Sequence, residues 1–404
     1  MSTKERATLV PKLRFPEFVK SEGWVVEPFQ ALFTIGSGRD YKHLSKGSVP
    51  VYGSGGYMLS VDDFLYDGES VCIGRKGTIN NPLFLTGKFW TVDTLFYTHS
   101  FQQCLPKFIY AIFQSIDWLK HNEAGGVPSL SKTIIEKIQT AVPGIPEQQK
   151  IANCLSSLDE LIAAQARKVE ALKTHKKGLM QQLFPREGET QPRLRFPEFQ
   201  DAGKWCEERL LSLSREPLSN GVFNDPKKVG SGYKLINVSD MYIETTIDEC
   251  RLTLLELSPS DFEANKVITG DIFFTRSSLV KSGIAVSNIY LGSSNDVSYD
   301  GHLIRFRPSL SKVVPMFAHY LFKTESIRAQ LIARGKTATM TTIGQADVAG
   351  VMLFYPDKAE QQRIASCLST LDDLIVDATQ ELDALKIHKK GLMQKLFPSV
   401  EVIE

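Results

Sequence analysis

Two short stretches carry side chains suited to gripping a polyanion at the mouth of a strand. Gly68-Glu-Ser-Val-Cys-Ile-Gly-Arg75-Lys76-Gly-Thr78 reads as a turn, a short apolar strand and a basic, hydroxyl-bearing exit loop. Gly270-Asp-Ile-Phe-Phe-Thr-Arg276-Ser277-Ser278 repeats that plan with one residue fewer, and Lys281 follows shortly after. An arginine placed beside small hydroxyls reaches a phosphate oxygen or a guanine edge. It can equally do no more than pair a surface acid. Arg39, Tyr41 and Lys42, then Tyr52 and Ser54, then Lys336, Thr337 and Thr339 add basic, aromatic and hydroxyl groups in segments that also read as plain turns. These are the candidate DNA-binding residues. Arg75 and Arg276 hold equivalent places in otherwise different surroundings, which suits holding a backbone better than reading a base.

Catalytic motifs fail one by one. Gly36-Ser-Gly38 and Gly53-Ser-Gly-Gly56 lack the strand, GxGxxG spacing and later acid of a dinucleotide site. Asn81-Pro82-Leu83-Phe84 resembles the Asn-Pro-Pro-aromatic loop of amino-methyltransferases but has no second proline, so it reads as a turn. Gly335-Lys336-Thr337 has no glycine five residues upstream to complete a phosphate cradle. The seven histidines show no metal-ligand spacing. We expect no catalytic residue and no metal in this chain.

The elements that position these loops declare themselves by repetition. Glu147–Pro185 returns as Glu360–Pro398, with 25 of 39 positions identical and no gap. In the first copy Ile151, Leu155, Leu158, Ile162, Val169, Leu172 and Leu179 step by fours and threes. In the second, Ile364, Leu368, Leu371, Ile375, Leu382, Leu385 and Leu392 do the same. Such a heptad seam wants a partner helix, and the two copies can bury each other. Pro146 and Glu147 suit a helix start; Pro185 and Pro398 stop each copy. Lys176 and Lys389 fall on the seam, within the repeated His-Lys-Lys clusters 175–177 and 388–390. We read these clusters as complementing the helix dipole and solvating an exposed face, in preference to touching DNA or a partner.

A second duplication, KLRFPEF at Lys12–Phe18 and RLRFPEF at Arg193–Phe199, opens each half. Residues 19 to about 105 are strand-rich, with runs at Ser48–Val51, Ser70–Ile73 and Leu83–Leu85. A helix is expected from Pro106, ending before Gly125-Gly126. The second half shows strands near Tyr233–Val238, Asp271–Thr275 and Leu303–Phe306, then a helix from Pro315. Gly126 and Gly335 each lie twenty residues after those prolines, so one fold decorated differently is expected twice.

Net charge is +1 over 404 residues, with 42% hydrophobic and 23% charged side chains. That composition is ordinary for a soluble protein and argues against binding nucleic acid by bulk charge alone. No run approaches a membrane span. Six cysteines without paired spacing suit a reduced, cytoplasmic chain.

With the duplicated helix, the LRFPEF openings and VPVYGSGGY…IGRKGTINNP in view, the chain resembles the specificity subunit of a type I restriction–modification system. The resemblance covers essentially the whole length. It implies an α+β fold: two mixed α/β target-recognition domains joined by two long helices in an antiparallel coiled coil, with a pseudo-twofold internal repeat. The expected divisions are 1–145 and 193–357 for the recognition domains, 146–185 and 358–404 for the helices, and 186–192 for a linker. It further implies a bipartite, asymmetric site in double-stranded DNA, with two methyltransferase subunits and restriction/translocase subunits as partners. S-adenosylmethionine, ATP and Mg are then expected on those partners, and no cofactor in this chain. The rival reading is a coiled-coil scaffold with two protein- or carbohydrate-binding heads.

Overall fold

A computed structural model of the chain describes residues 7–399. The chain forms two compact units, one of Met1–Ala166 with Gln380–Glu404 and one of Arg167–Thr379. This departs from the consecutive divisions expected above. The long helices Ile145–Leu183 and Lys358–Leu396 each begin in one unit and end in the other. Each unit therefore holds one head, the first part of its own helix and the last part of the other.

The first head is built from an antiparallel sheet and a mixed one. Thr34–Ser37, Leu95–His99, Ser70–Gly74 and Leu83–Leu85 form a four-stranded sheet in that spatial order. Lys46–Gly53 pairs with Gly56–Val61 and runs parallel to Lys88–Thr91. The second head reproduces both layers. Its four-stranded sheet is Ser219–Asn220, Leu303–Phe306, Ile272–Thr275 and Ser287–Ile289; Val229–Ile236 pairs with Thr253–Leu255 and runs parallel to Val297–Tyr299. In both, the central strand is sealed on its two faces: every residue of Ser70–Gly74 and of Ile272–Thr275 is buried. The strand before each candidate arginine is thus rigid.

The helix expected from Pro106 to the glycines is shorter. It ends at Ser115, because Ile116 and Asp117 leave helical geometry and Asp117 caps a separate 3-10 turn at Trp118–His121. Its counterpart, Pro315–Phe322, is followed by a second helix, Glu325–Arg334.

Within each unit the two helical segments lie antiparallel. In the first, Gln165 donates to Glu381 at 2.8 Å and Lys389 reaches Asp159 at 2.6 Å. In the second, Lys176 pairs with Asp372. None of the fourteen seam residues is exposed. The reading of Lys176 and Lys389 as solvating, dipole-complementing groups is corrected here. Their side chains are 17% and 13% exposed and each is bound to an acid of the opposing helix, as a polar seam position requires. His175, Lys177, His388 and Lys390 do remain at the surface.

The duplicated openings prove to be joints. Arg14 forks onto both oxygens of Glu147 at 2.8 and 2.7 Å, and Arg195 does the same to Glu360. Gln148, fully buried, accepts from Leu105 N and donates to the carbonyls of Gln103 and Pro143; Gln361 treats Val314, Lys312 and Pro356 identically. The end of the opposite helix closes the base. Phe397 packs on Trp24 and Phe108 in the first unit, and Phe184 on Trp205 and Phe317 in the second. All six cysteines are free thiols.

Candidate nucleic-acid interface

In the first unit a short segment, Thr91–Thr94, is the floor on which three loops are assembled. Arg39 N donates to Thr91 O at 2.8 Å, and Gly38 lies so close that a Cβ there would sit 2.0 Å from Val92 O. Val92 N donates to Tyr52 O at 3.0 Å, and Arg75 N to Thr94 O at 2.8 Å. A Cβ on Gly77 would lie 3.3 Å from Ser54 Oγ, which joins the second and third loops. A fourth segment closes the edge: Leu130 N donates to Arg75 O and Lys76 bridges Ser129. Arg39, Tyr52, Ser54, Arg75, Lys76 and Thr78 are thereby brought together. Arg75 sits 5.9 Å from the Phe96 ring centroid, and Lys76 and Thr78 are exposed. Lys42 is exposed on the same loop as Arg39. Tyr41 instead packs against the cluster of Val51, Val61, Trp90 and Val92, so its ring supports the loop.

The second unit repeats the arrangement on Tyr299–His302. Val222 N donates to Tyr299 O, Asp300 N to Ile236 O, and Arg276 N to His302 O at 2.9 Å. Ile343 N donates to Arg276 O as Leu130 N does to Arg75 O. The two arginines are thus equivalent in backbone geometry as well as in sequence. Ser277–Ser278 pairs with Thr341–Thr342, which pairs in turn with Lys336–Thr337. Two stretches some sixty residues apart become one three-stranded patch, with Thr339 exposed at its turn. Lys281 is exposed beside it; Lys336 is 81% exposed and 3.9 Å from Asp347. Neither Arg75 nor Arg276 has an ion-pair partner among the described residues.

Sequence reading passed over Phe223, 78% exposed on the loop equivalent to that of Arg39, and His302, whose Nδ1 lies 2.8 Å from Asp300 Oδ1. The available signal was Gly221. It presses on Tyr299 O, with a Cβ distance of 1.9 Å, as Gly38 presses on Val92 O. A glycine forced by close backbone approach marks the same turn in both heads.

No helix of the described residues is long and apolar enough to cross a membrane, and no group of acids, cysteines and histidines among them could hold a metal ion. Each unit holds exposed cations on loops tied to a backbone floor, an arrangement suited to a polyanion. The family model described as Type I restriction modification DNA specificity domain matches residues 21–174. The Type I restriction enzyme MjaVIII specificity subunit of Methanocaldococcus jannaschii is 23% identical over 342 residues, covering 82% of this chain and 77% of that protein. The S subunit of a Type-I restriction-modification system from M. genitalium shares the fold at TM-score 0.63 and 14% identity, over 97% of this chain and 100% of that one. A chain from a structure of complex assembly and conformational transition of the type I R-M system matches at TM-score 0.54 and 14% identity, over 93% and 98%. Residues 21–174 thus match a type I restriction modification DNA specificity domain, and the chain is similar to type I specificity subunits over most of its length.

Proposed function

We propose that this chain reads a bipartite, asymmetric site in double-stranded DNA, one half through each unit, and docks two methyltransferase subunits and the restriction subunits. The observation that carries the reading is the repeated floor with different side chains upon it. Thr91–Thr94 and Tyr299–His302 hold equivalent loops, yet their exposed side chains differ: Arg39, Lys42 and Lys76 in one head, Phe223 and Lys281 in the other. A shared frame with divergent tips suits two different half-sites. Docking of a partner present twice is supported by Leu161 and Leu374, exposed by 52% and 47% at the same place in both helices. An apolar residue kept outside the seam in both copies suits two copies of one surface. S-adenosylmethionine, ATP and Mg would then act on the partner subunits.

Methylome sequencing of cells with and without this chain tests the reading. A split motif that appears only with the chain is expected. Unchanged methylation despite assembled methyltransferase subunits would favour the scaffold with protein- or carbohydrate-binding heads.

A further inference from the structure

In the second unit the connection that leaves the buried strand ends in two bare apolar side chains. Leu279 is 84% exposed and Val280 62%. The connection runs from Arg276 to Val286, eleven residues, against eight from Arg75 to Pro82 in the first unit. The first unit's tip, Lys76-Gly77-Thr78, is polar. The apolar pair is therefore an addition peculiar to one head.

The tip is held firmly. Arg328 donates to the carbonyls of Ala285 and Ser282, the latter at 2.9 Å. Val280 N donates to Ser278 Oγ at 3.2 Å, Gly283 N to Val280 O at 3.0 Å, and Ser277–Ser278 is laddered to Thr341–Thr342. Arg276 and Lys281 flank it in the chain, and Lys336 and Thr337 lie two strands away in the same patch with Thr339 at its turn, all exposed. Two apolar groups held beside cations and hydroxyls complement a surface that offers both anionic groups and a methyl group. The major groove is such a surface, with phosphates at its edges and the thymine 5-methyl as its apolar feature.

We propose that Leu279 and Val280 read the second half-site directly, by contact with a thymine methyl in the major groove, while Arg276, Lys281 and Lys336 hold the flanking phosphates. This rests on the reading of the chain as a DNA-specificity subunit and adds a base contact on named side chains. The equivalent tip of the first unit, Lys76-Gly77-Thr78, carries no apolar pair.

The test uses the full chain assembled with its methyltransferase subunits. Methylome sequencing of the wild type fixes the site; binding is then measured on duplexes in which each thymine of the second half-site is replaced by uracil. Losing one methyl contact should weaken the wild type about three- to five-fold at one position. The double variant Leu279→Ala, Val280→Ala should be indifferent to that replacement, and its methylome should relax at that position with the first half-site unchanged. Both side chains are exposed, so the fold persists. Equal uracil penalties in wild type and variant, or a second half-site without an A·T pair, would overturn the proposal. So would a variant that keeps its motif but sheds methyltransferase subunits in size-exclusion, since the pair would then be a docking surface. A wild-type chain that confers no split motif sinks the wider reading as well, and is distinguished by failing before any variant is made.

Discussion

Lys176 lies on the apolar seam of its helix and places its Nζ 2.5 Å from Asp372 Oδ1 on the opposing segment. Tyr320 donates to the other carboxylate oxygen at 2.7 Å, and its ring centroid lies 5.1 Å from the same ammonium. In the first unit Lys389 binds Asp159 at 2.6 Å and Gln114 at 3.0 Å. The two ammonium groups are largely withdrawn from water, while their acids keep 36% and 43% exposure. Lys176→Ala should destabilise the second unit by about 1–3 kcal/mol, below the loss at a fully buried pair because Asp372 keeps some solvent. Lys176→Asp with Asp372→Lys should recover most of it. Urea unfolding monitored in that unit measures both, and an unchanged midpoint for Lys176→Ala would show the pair to be idle.

Arg75 and Arg276 are each fixed by the same two backbone hydrogen bonds, one to the floor and one from the segment that closes its edge. If the two heads read different bases, groups that they share belong to the backbone grip. Arg75→Ala and Arg276→Ala should each weaken DNA binding by the assembled complex and lower its salt dependence by roughly one ion. The sequenced methylation motif should not change. A variant of normal affinity and altered base preference would reassign that arginine to reading.

Burial, and then the nearby Lys176, push the Lys323 ammonium down to about 8, partly offset by Asp372. The unfolded chain keeps that proton to about 10.4. Between those values the unfolded state binds more protons, so this group's penalty is full below pH 8 and relieved as pH rises toward 10. His319, buried beside it, is held neutral and does not compensate. The equivalent residue in the first unit, eight after the helix proline, is the uncharged Gln114. Lys323→Gln should therefore raise the second unit's urea midpoint at pH 7, and its advantage over wild type should shrink between pH 8 and 10. A constant difference across that range would refute the assignment.

If the paired helices set the separation of the half-sites, lengthening both must widen the gap. One heptad inserted after Val169 and another after Leu382 preserves the seam and adds ~10 Å of helix. That corresponds to about three base pairs of rise, and the residual helical rotation spreads the expected increase over about two to four. The methylome of the double insertion should show both half-sites intact and farther apart. Four residues inserted in one helix alone should break the seam and cost folding or partner binding. A folded, active double insertion with the old gap would remove the helices from this role.

The helices were open to sequence reading because a heptad is a local property, written along one segment. The role of Lys176 was not, since its acid comes from a helix almost two hundred residues away. The candidate loops could be found as loops, through Arg75, Arg276 and the glycines. Their convergence could not, because it depends on strand order: Ser277–Ser278 meets Lys336–Thr337 only through Thr341–Thr342. Charge was also a partial guide. It picked out Lys76 and Lys281 but missed Phe223 and Leu279, which carry none. The early end of the helix at Ser115 turns on Asp117 capping its own turn, a competition that periodicity does not register.

The joint between head and helix has a consequence for inheritance. Gln148 and Gln361 hold their heads solely through main-chain atoms, at Leu105, Gln103 and Pro143 in one case and Val314, Lys312 and Pro356 in the other. Every residue type offers the carbonyl such a joint needs, and every type except proline the amide. At this joint the head's side chains can drift, provided those packed on the helix ends, Trp24 and Phe108 or Trp205 and Phe317, are kept. A head from a related gene, inserted between an LRFPEF opening and an EQQ helix start, arrives with its fastening already in place. Exchange of gene segments between the duplicated flanks would then leave this joint, and the helices behind it, unchanged.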